Sequence, residues 1–132
     1  MSDQDNTNVV KQAYENFKTG NIEALLGQMS EDVDWRLPDI EGVPFAGARR
    51  GTGQVGEFFS TLADVQDVVS FEQREFVAQG DKVVVLGDYS WRVKKNGREY
   101  GSGWAHVFTV RDGKIVAFNE YMDTAAAAGA YK

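Results

Sequence analysis

Trp104-Ala105-His106-Val107-Phe108-Thr109-Val110-Arg111-Asp112-Gly113-Lys114-Ile115-Val116-Ala117-Phe118-Asn119-Glu120-Tyr121-Met122-Asp123 reads as two strands joined at Asp112-Gly113. Side chains of a strand show the same face every second residue. Trp104, Phe108 and Val110 therefore share one face of the first strand, and Val116, Phe118 and Met122 one face of the second. His106, the only histidine of the chain, falls within the first apolar set, and Glu120 within the second. Burying such groups is costly unless they are paired, so both positions call for a reason.

The turn decides whether the two groups meet. A two-residue loop, Asp112-Gly113, pairs His106 with Asn119 and puts Trp104 and Phe118 on opposite faces. A three-residue loop, Arg111-Asp112-Gly113, is a common hairpin connection. It pairs Phe108 with Val116, His106 with Phe118 and Trp104 with Glu120. A one-residue slip flips every side chain, and the apolar pattern selects the three-residue loop. That register puts His106 and Glu120 on one face, two residues out of step and within reach of one ligand.

With 132 residues the chain is long enough for a sizeable core, and it reads as one domain over 1–132 with its core at about 8–128. Hydrophobic residues make up 42%, aromatics 12%, so it is globular rather than disordered. A net charge of −6 argues against nucleic acid and an anionic membrane surface as partners. There is no cysteine, hence no disulfide or thiol chemistry, and a single histidine makes zinc improbable. No carboxylate cluster points to another metal, and no cofactor is expected. No apolar run reaches the roughly 20 residues of a membrane span. The polar start shows no secretory signal, and the expected location is the cytoplasm.

Upstream, the first six residues read as a frayed start. From Thr7 a helix carries Val9, Val10, Ala13, Tyr14 and Phe17 on one face. Gly20 ends it and Asn21 caps a second short helix with Ile22, Leu25, Leu26 and Met29. A strand over 32–37 precedes Pro38-Asp39-Ile40-Glu41-Gly42-Val43-Pro44-Phe45-Ala46-Gly47, whose prolines and glycines exclude regular structure and mark a candidate lid. Thr52 is placed to cap a third helix bearing Val55, Phe58, Phe59 and Leu62. A strand over 68–79 changes phase between Phe71 and Phe76, the mark of a β-bulge. A long strand over 82–94 turns at Asn96-Gly97, read as a two-residue hairpin pairing Tyr89 with Trp104. Asp123 caps a short terminal helix. Helices followed by an antiparallel meander give an α+β layout with the helices on one face of a curled sheet. Val84, Leu86, Val107 and Ile115 fall on the other face, and so many apolar side chains there imply a homodimer that covers it.

The order of these elements resembles the SnoaL-like polyketide cyclases and other small members of the nuclear transport factor 2-like superfold, among them ketosteroid isomerases and limonene epoxide hydrolases. The resemblance covers about residues 8–128. It rests on Tyr14-Glu15-Asn16-Phe17 followed by Gly20-Asn21, on Val33-Asp34-Trp35 before the Pro/Gly loop, on Gly47 and Gly51 before the third helix, and on Asp112-Gly113-Lys114-Ile115-Val116 leading to Glu120-Tyr121-Met122-Asp123-Thr124. It implies a cystatin-like fold with a cone-shaped pocket between sheet and helices, a dimer joined through the sheet, and cofactor-free acid–base chemistry on hydrophobic small molecules. Glu120 is similar in place to the final-strand carboxylate that acts as acid/base in the cyclases and epoxide hydrolases, which carry Asp there. His106 falls where the cyclases have a pocket His, and Tyr14 near a helix-1 Tyr of the isomerases. The isomerases' base falls on Leu37, and the epoxide hydrolases' Arg and second Asp fall near Gly87 and Tyr89. Those two mechanisms thus lack their groups, and the cyclase-like one fits best.

Desolvation in an apolar pocket raises a carboxyl pKa, which suits Glu120 to general acid–base work. His106 or Tyr14 could then hydrogen-bond a developing enolate oxygen. Trp35, Phe58, Phe59, Tyr89, Trp91, Trp104, Phe108, Phe118 and Met122 are the expected lining for a flat or polycyclic ligand. The same residues also read as ordinary core, with His106 satisfied by a carbonyl or by Glu120. An enzyme, a binding module with the same pocket, and a dimerisation domain with a filled interior all remain open at this point.

Overall fold

Ser2 begins the first helix. Its hydroxyl accepts from the Asp5 backbone N–H at 3.0 Å, and the Asp5 carboxylate accepts from the Ser2 N–H at 3.1 Å. This reciprocal cap satisfies two N–H groups that a helix end otherwise leaves bare. So α1 (Asp3–Lys18) starts well before Thr7, and Asp3 to Asn6, expected to fray, are helical, while residue 1 lies outside the described residues. The computed structural model describes residues 2–132. After α1 come α2 (Ile22–Gly27), β1 (Met29–Arg36), β2 (Ala48–Arg50), α3 (Gly51–Val65), β3 (Gln66–Gln79), β4 (Lys82–Val93), β5 (Glu99–Arg111), β6 (Lys114–Met122) and α4 (Thr124–Ala130). Asn21 and Asp123 cap α2 and α4 as their residue types predict. Thr52 does not cap α3: Arg50 holds the cap position without a side-chain hydrogen bond.

The strands form one curved sheet in the order β2-β1-β6-β5-β4-β3. β1 lies parallel to β6, with Trp35 opposite Phe118, so the sheet is mixed and not wholly antiparallel. Pairing of strands so distant in sequence leaves no local signature. The helices cover the concave face. Val10, Ala13 and Tyr14 of α1 and Val55, Phe58 and Phe59 of α3 pack there against Val83, Val85, Phe108, Ile115 and Phe118.

Two hairpins differ from the expected register, each for a local reason. At Asp112-Gly113 the turn has two residues, both in the left-handed region (φ 50° and 77°), with Arg111 opposite Lys114. Such a turn matches the twist of the flanking strands. A bulge then inserts Val116 between the pairs Val110–Ile115 and Thr109–Ala117. The bulge shifts the pairing by one residue and restores the parity that the apolar pattern demanded; with the shorter turn it puts the register two residues from the expected one, so that His106 faces Glu120 directly. It also turns Ile115 inward, where it is fully buried, rather than onto the outer face. The second hairpin turns through the four residues Lys94–Gly97: the Gly97 N–H donates to the Val93 carbonyl, and Gly97 sits at φ 72°. Tyr89 therefore pairs with Ser102, and Trp104 pairs with Gly87.

A Cβ at position 87 would collide with the Trp104 indole and the Glu72 carbonyl. Glycine there lets the indole lie on the strand, stacked on His106 at 3.9 Å between ring centres. β3 carries the expected bulge, between Gln73 and Glu75, and a second between Val68 and Ser70. The Pro/Gly loop is folded in. Ile40, Val43 and Phe45 are buried, and the Arg49 guanidinium donates to the carbonyls of Phe45 and Ala46 at 2.8 and 3.0 Å.

Candidate functional site

Facing positions of β5 and β6 and one turn of α1 bring the candidate polar residues together. His106 is 4% exposed. Its Nδ1 lies 2.7 Å from the Tyr14 hydroxyl, and its Nε2 lies 2.7 Å from Glu120 Oε1. The Tyr89 hydroxyl donates to Glu120 Oε2 at 3.2 Å. The result is one chain, Tyr14–His106–Glu120–Tyr89, anchored in four elements. A carboxylate accepts only, so Nε2 carries the proton that Glu120 receives. In the neutral ring Nδ1 is then bare and accepts from the Tyr14 O–H. Burial pushes the Tyr14 and Tyr89 hydroxyls well above the ordinary tyrosine range, and the Glu120 charge adds to it. Both therefore stay protonated donors at neutral pH.

Beside this chain lies an internal cavity of about 70 Å³. Tyr14, His106, Glu120, Trp35, Phe58, Phe59, Tyr89, Trp91, Phe108 and Phe118 line it. Trp104 and Met122 do not. Trp104 lies behind His106, and Met122, opposite Trp104 on β6, packs against the edge of the core. The volume is well below the 300–1,000 Å³ of typical ligand pockets. Aromatic rings fill much of the cone, so a polycyclic ligand would need them to move apart.

Leu37 lines the cavity and supplies no base there. The Arg49 guanidinium is committed to the loop carbonyls of Phe45 and Ala46. Among the described residues no cluster of three or more His, Cys, Asp or Glu side chains is placed to hold a metal ion, and no helix is long and apolar enough to cross a membrane.

Gln66 and its partners Tyr100 and Tyr131 escaped the sequence reading. Gln66, the first residue of β3, is 3% exposed and lines the cavity. Its Oε1 accepts from the Tyr100 hydroxyl at 2.9 Å and the Tyr131 hydroxyl at 2.5 Å, while its Nε2 has no partner. Trp35 Nε1, also on the lining, is a second buried donor without an acceptor. A buried polar group left unpaired costs about 1–3 kcal/mol. Nothing local marks Gln66 as internal, since it stands between Val65 and Asp67 at a helix end, and its partners lie 34 and 65 residues away.

The sequence from 10 to 118 matches the family model of the SnoaL-like domain. The chain belongs to that family. Among curated proteins, none matches this SnoaL-like sequence. Solved structures extend the likeness. An NTF2-like protein from Burkholderia xenovorans is 34% identical, with 100% of this chain and 99% of that one covered and a TM-score of 0.91. TerC, co-crystallised with polyporic acid, is 28% identical over 96% of this chain and 98% of that one, with a TM-score of 0.85. A protein from Mesorhizobium loti named as a candidate SnoaL-like polyketide cyclase is 16% identical over 87% and 97%, TM-score 0.72, and shows the shared fold alone.

Proposed function

We propose that this SnoaL-like protein is a cofactor-free acid–base enzyme acting on a small carbonyl compound, with Glu120 as the group that takes and returns the proton. The observation that carries this reading is the distribution of hydrogen bonds. Both His106 nitrogens are engaged, one by Tyr14 and one by Glu120. Glu120 lines the cavity and has more acceptor sites than its two donors use. His106 is therefore a positioning residue, with Tyr14 fixing its tautomer, and Glu120 is the base. In the step proposed, a C–H bond next to the carbonyl breaks and its proton passes to Glu120. The electron pair moves onto the carbonyl oxygen as an enolate. Return of the proton at another carbon gives an isomer; attack of the enolate carbon on a second carbonyl closes a ring, the π pair of that carbonyl moving to its oxygen, which takes the proton back from Glu120.

The volume of the cavity favours a ligand of one ring. TerC, a relative solved with a small organic molecule, supports a ligand role for the cone. A second reading is retention without conversion. It draws support from the polar chain being complete without a ligand.

Deuterium uptake from D₂O into the α positions of 3-cyclohexenone separates the two readings. The wild type should exchange them faster than buffer. Glu120→Gln keeps an acceptor toward His106 and should keep the fold, but lose about 10²- to 10⁴-fold in rate, the usual contribution of a general base. Equal rates in the two proteins, or none above buffer, would remove the assignment.

The outer sheet face supports a homodimer. Val77, Val84 and Val107 form one row across β3–β5, and Leu86, Ala105 and Tyr121 another across β4–β6. Val77 and Tyr121 are more than half exposed. A second copy of the chain would bury both rows.

A further inference from the structure

The donors first expected to stabilise an oxyanion are both engaged: the Tyr14 O–H donates to His106 Nδ1, and the His106 Nε2–H donates to Glu120. Gln66 lines the cavity, and its buried Nε2 has no hydrogen-bond partner. We infer that the Gln66 side-chain amide receives a carbonyl oxygen of a single-ring ligand without negative charge, away from the Tyr14–His106–Glu120 chain. This deepens the acid–base reading above and rests on the same cavity.

Three observations carry it. First, the orientation of the amide follows from hydrogen-bond accounting. With Oε1 toward Tyr100 and Tyr131, both buried hydroxyls have an acceptor and only the NH₂ is left over. The flipped amide would strand two O–H groups and a carbonyl oxygen, a worse arrangement. Two tyrosines thus hold the amide rigid with its N–H groups free. Second, Gln66 sits on a different rung of the sheet from the acid–base pair. It pairs with Val93, whereas His106 pairs with Val85. A ligand bound at both places is oriented along the cone. Third, the lining contains no Lys or Arg, while Glu120 faces the cavity. An anionic ligand would meet a like charge and no cation, so the occupant carries no negative charge. Trp35 Nε1, the other unpartnered donor on the wall, fits an acceptor-rich ligand in the same way.

The direct test compares cyclohexanone with methylenecyclohexane, which has the same ring with CH₂ in place of oxygen, and with cyclohexanecarboxylate. Binding is followed by ligand-observed NMR titration. The wild type should bind cyclohexanone about five- to tenfold more tightly than the alkene, the worth of one neutral hydrogen bond, and the carboxylate least. Gln66→Leu should abolish the preference. Gln66→Leu strands the Tyr100 and Tyr131 hydroxyls. Should it fail to fold, the infrared carbonyl stretch of cyclohexanone bound to the wild type decides alone: it should lie below its position in hexane. A hexane-like stretch, equal affinity for ketone and alkene, absence of binding by the ketone, or a preference that survives Gln66→Leu overturns the inference. Deuterium uptake by 3-cyclohexenone reads the acid–base assignment separately. A ketone preference without exchange removes the role of Glu120 and leaves that of Gln66. Exchange without a Gln66-dependent preference does the reverse.

Discussion

Tyr14→Phe removes one oxygen and little else, which makes it the sharpest probe of the buried polar chain. In the wild type the Tyr14 hydroxyl donates to His106 Nδ1 at 2.7 Å. The histidine is 4% exposed and lies between Trp104 and Phe118, at 3.9 and 4.8 Å between ring centres. Removing the hydroxyl leaves Nδ1 buried without a protein partner. That loss is worth about 1–3 kcal/mol. An unfolding entropy of about 2.1 cal/mol/K per residue gives about 280 cal/mol/K for a chain of this length. The midpoint of thermal unfolding should therefore fall by about 4–11 °C, read by far-UV circular dichroism at neutral pH. Exchange activity should also fall, because the imidazole that orients Glu120 loses its tautomer constraint, yet by less than in Glu120→Gln. A midpoint within about 1 °C of wild type would refute the reasoning, since it would mean that the Tyr14–His106 bond adds nothing or that solvent fills the site.

Stability should fall steeply in alkali. The folded state holds the Tyr14 and Tyr89 protons well above their ordinary pKa, whereas the unfolded chain releases them near pH 10. Above that pH the unfolded state binds fewer protons, so unfolding is favoured by about 1.4 kcal/mol per pH unit for each group and about 2.7 for the two. Below pH 10 this contribution is fully present. Tyrosinate absorbance from these residues should thus rise together with loss of circular dichroism; a rise in a chain that remains folded would contradict it. In sedimentation equilibrium the wild type should run at twice the chain mass, and Leu86→Lys with Tyr121→Lys at the chain mass. A monomeric wild type would dismiss the outer face as an interface.

The hairpin at Asp112-Gly113 shows how far the amino-acid order carries the fold. Asp-Gly announces the turn, and the alternation of Trp104, His106 and Phe108 against Phe118, Glu120 and Met122 settles which side chains share a face. The bulge at Val116 has no such mark, because Ile115 and Val116 are both apolar and either can face inward. The face was therefore legible and the register was not. The same division holds for the site. His106 and Glu120 stand out as polar residues inside apolar alternations, and Tyr14 as a polar tip on the apolar stripe of α1. Gln66 stands out from nothing. It becomes internal only when α3 ends against the sheet and Tyr131, beyond the terminal helix, folds back beside Tyr100. The size of the cavity is likewise a product of packing: the count of aromatic rings suggested a wide pocket, and their stacking, as in Trp35 on Phe118 at 3.9 Å, makes it narrow.

Because the chain has one histidine, its two ring nitrogens are the only imidazole signals in a ¹⁵N-histidine-labelled sample. Long-range proton–nitrogen correlation at neutral pH tests the orientation of the acid–base chain directly. A protonated Nε2 with a slowly exchanging proton and a bare, hydrogen-bonded Nδ1 is the predicted pattern, with Glu120→Gln changing the Nε2 signal more than the Nδ1 signal. Two nitrogens averaged by rapid tautomer exchange, or a proton residing on Nδ1, would mean that Glu120 is not held by His106 as described.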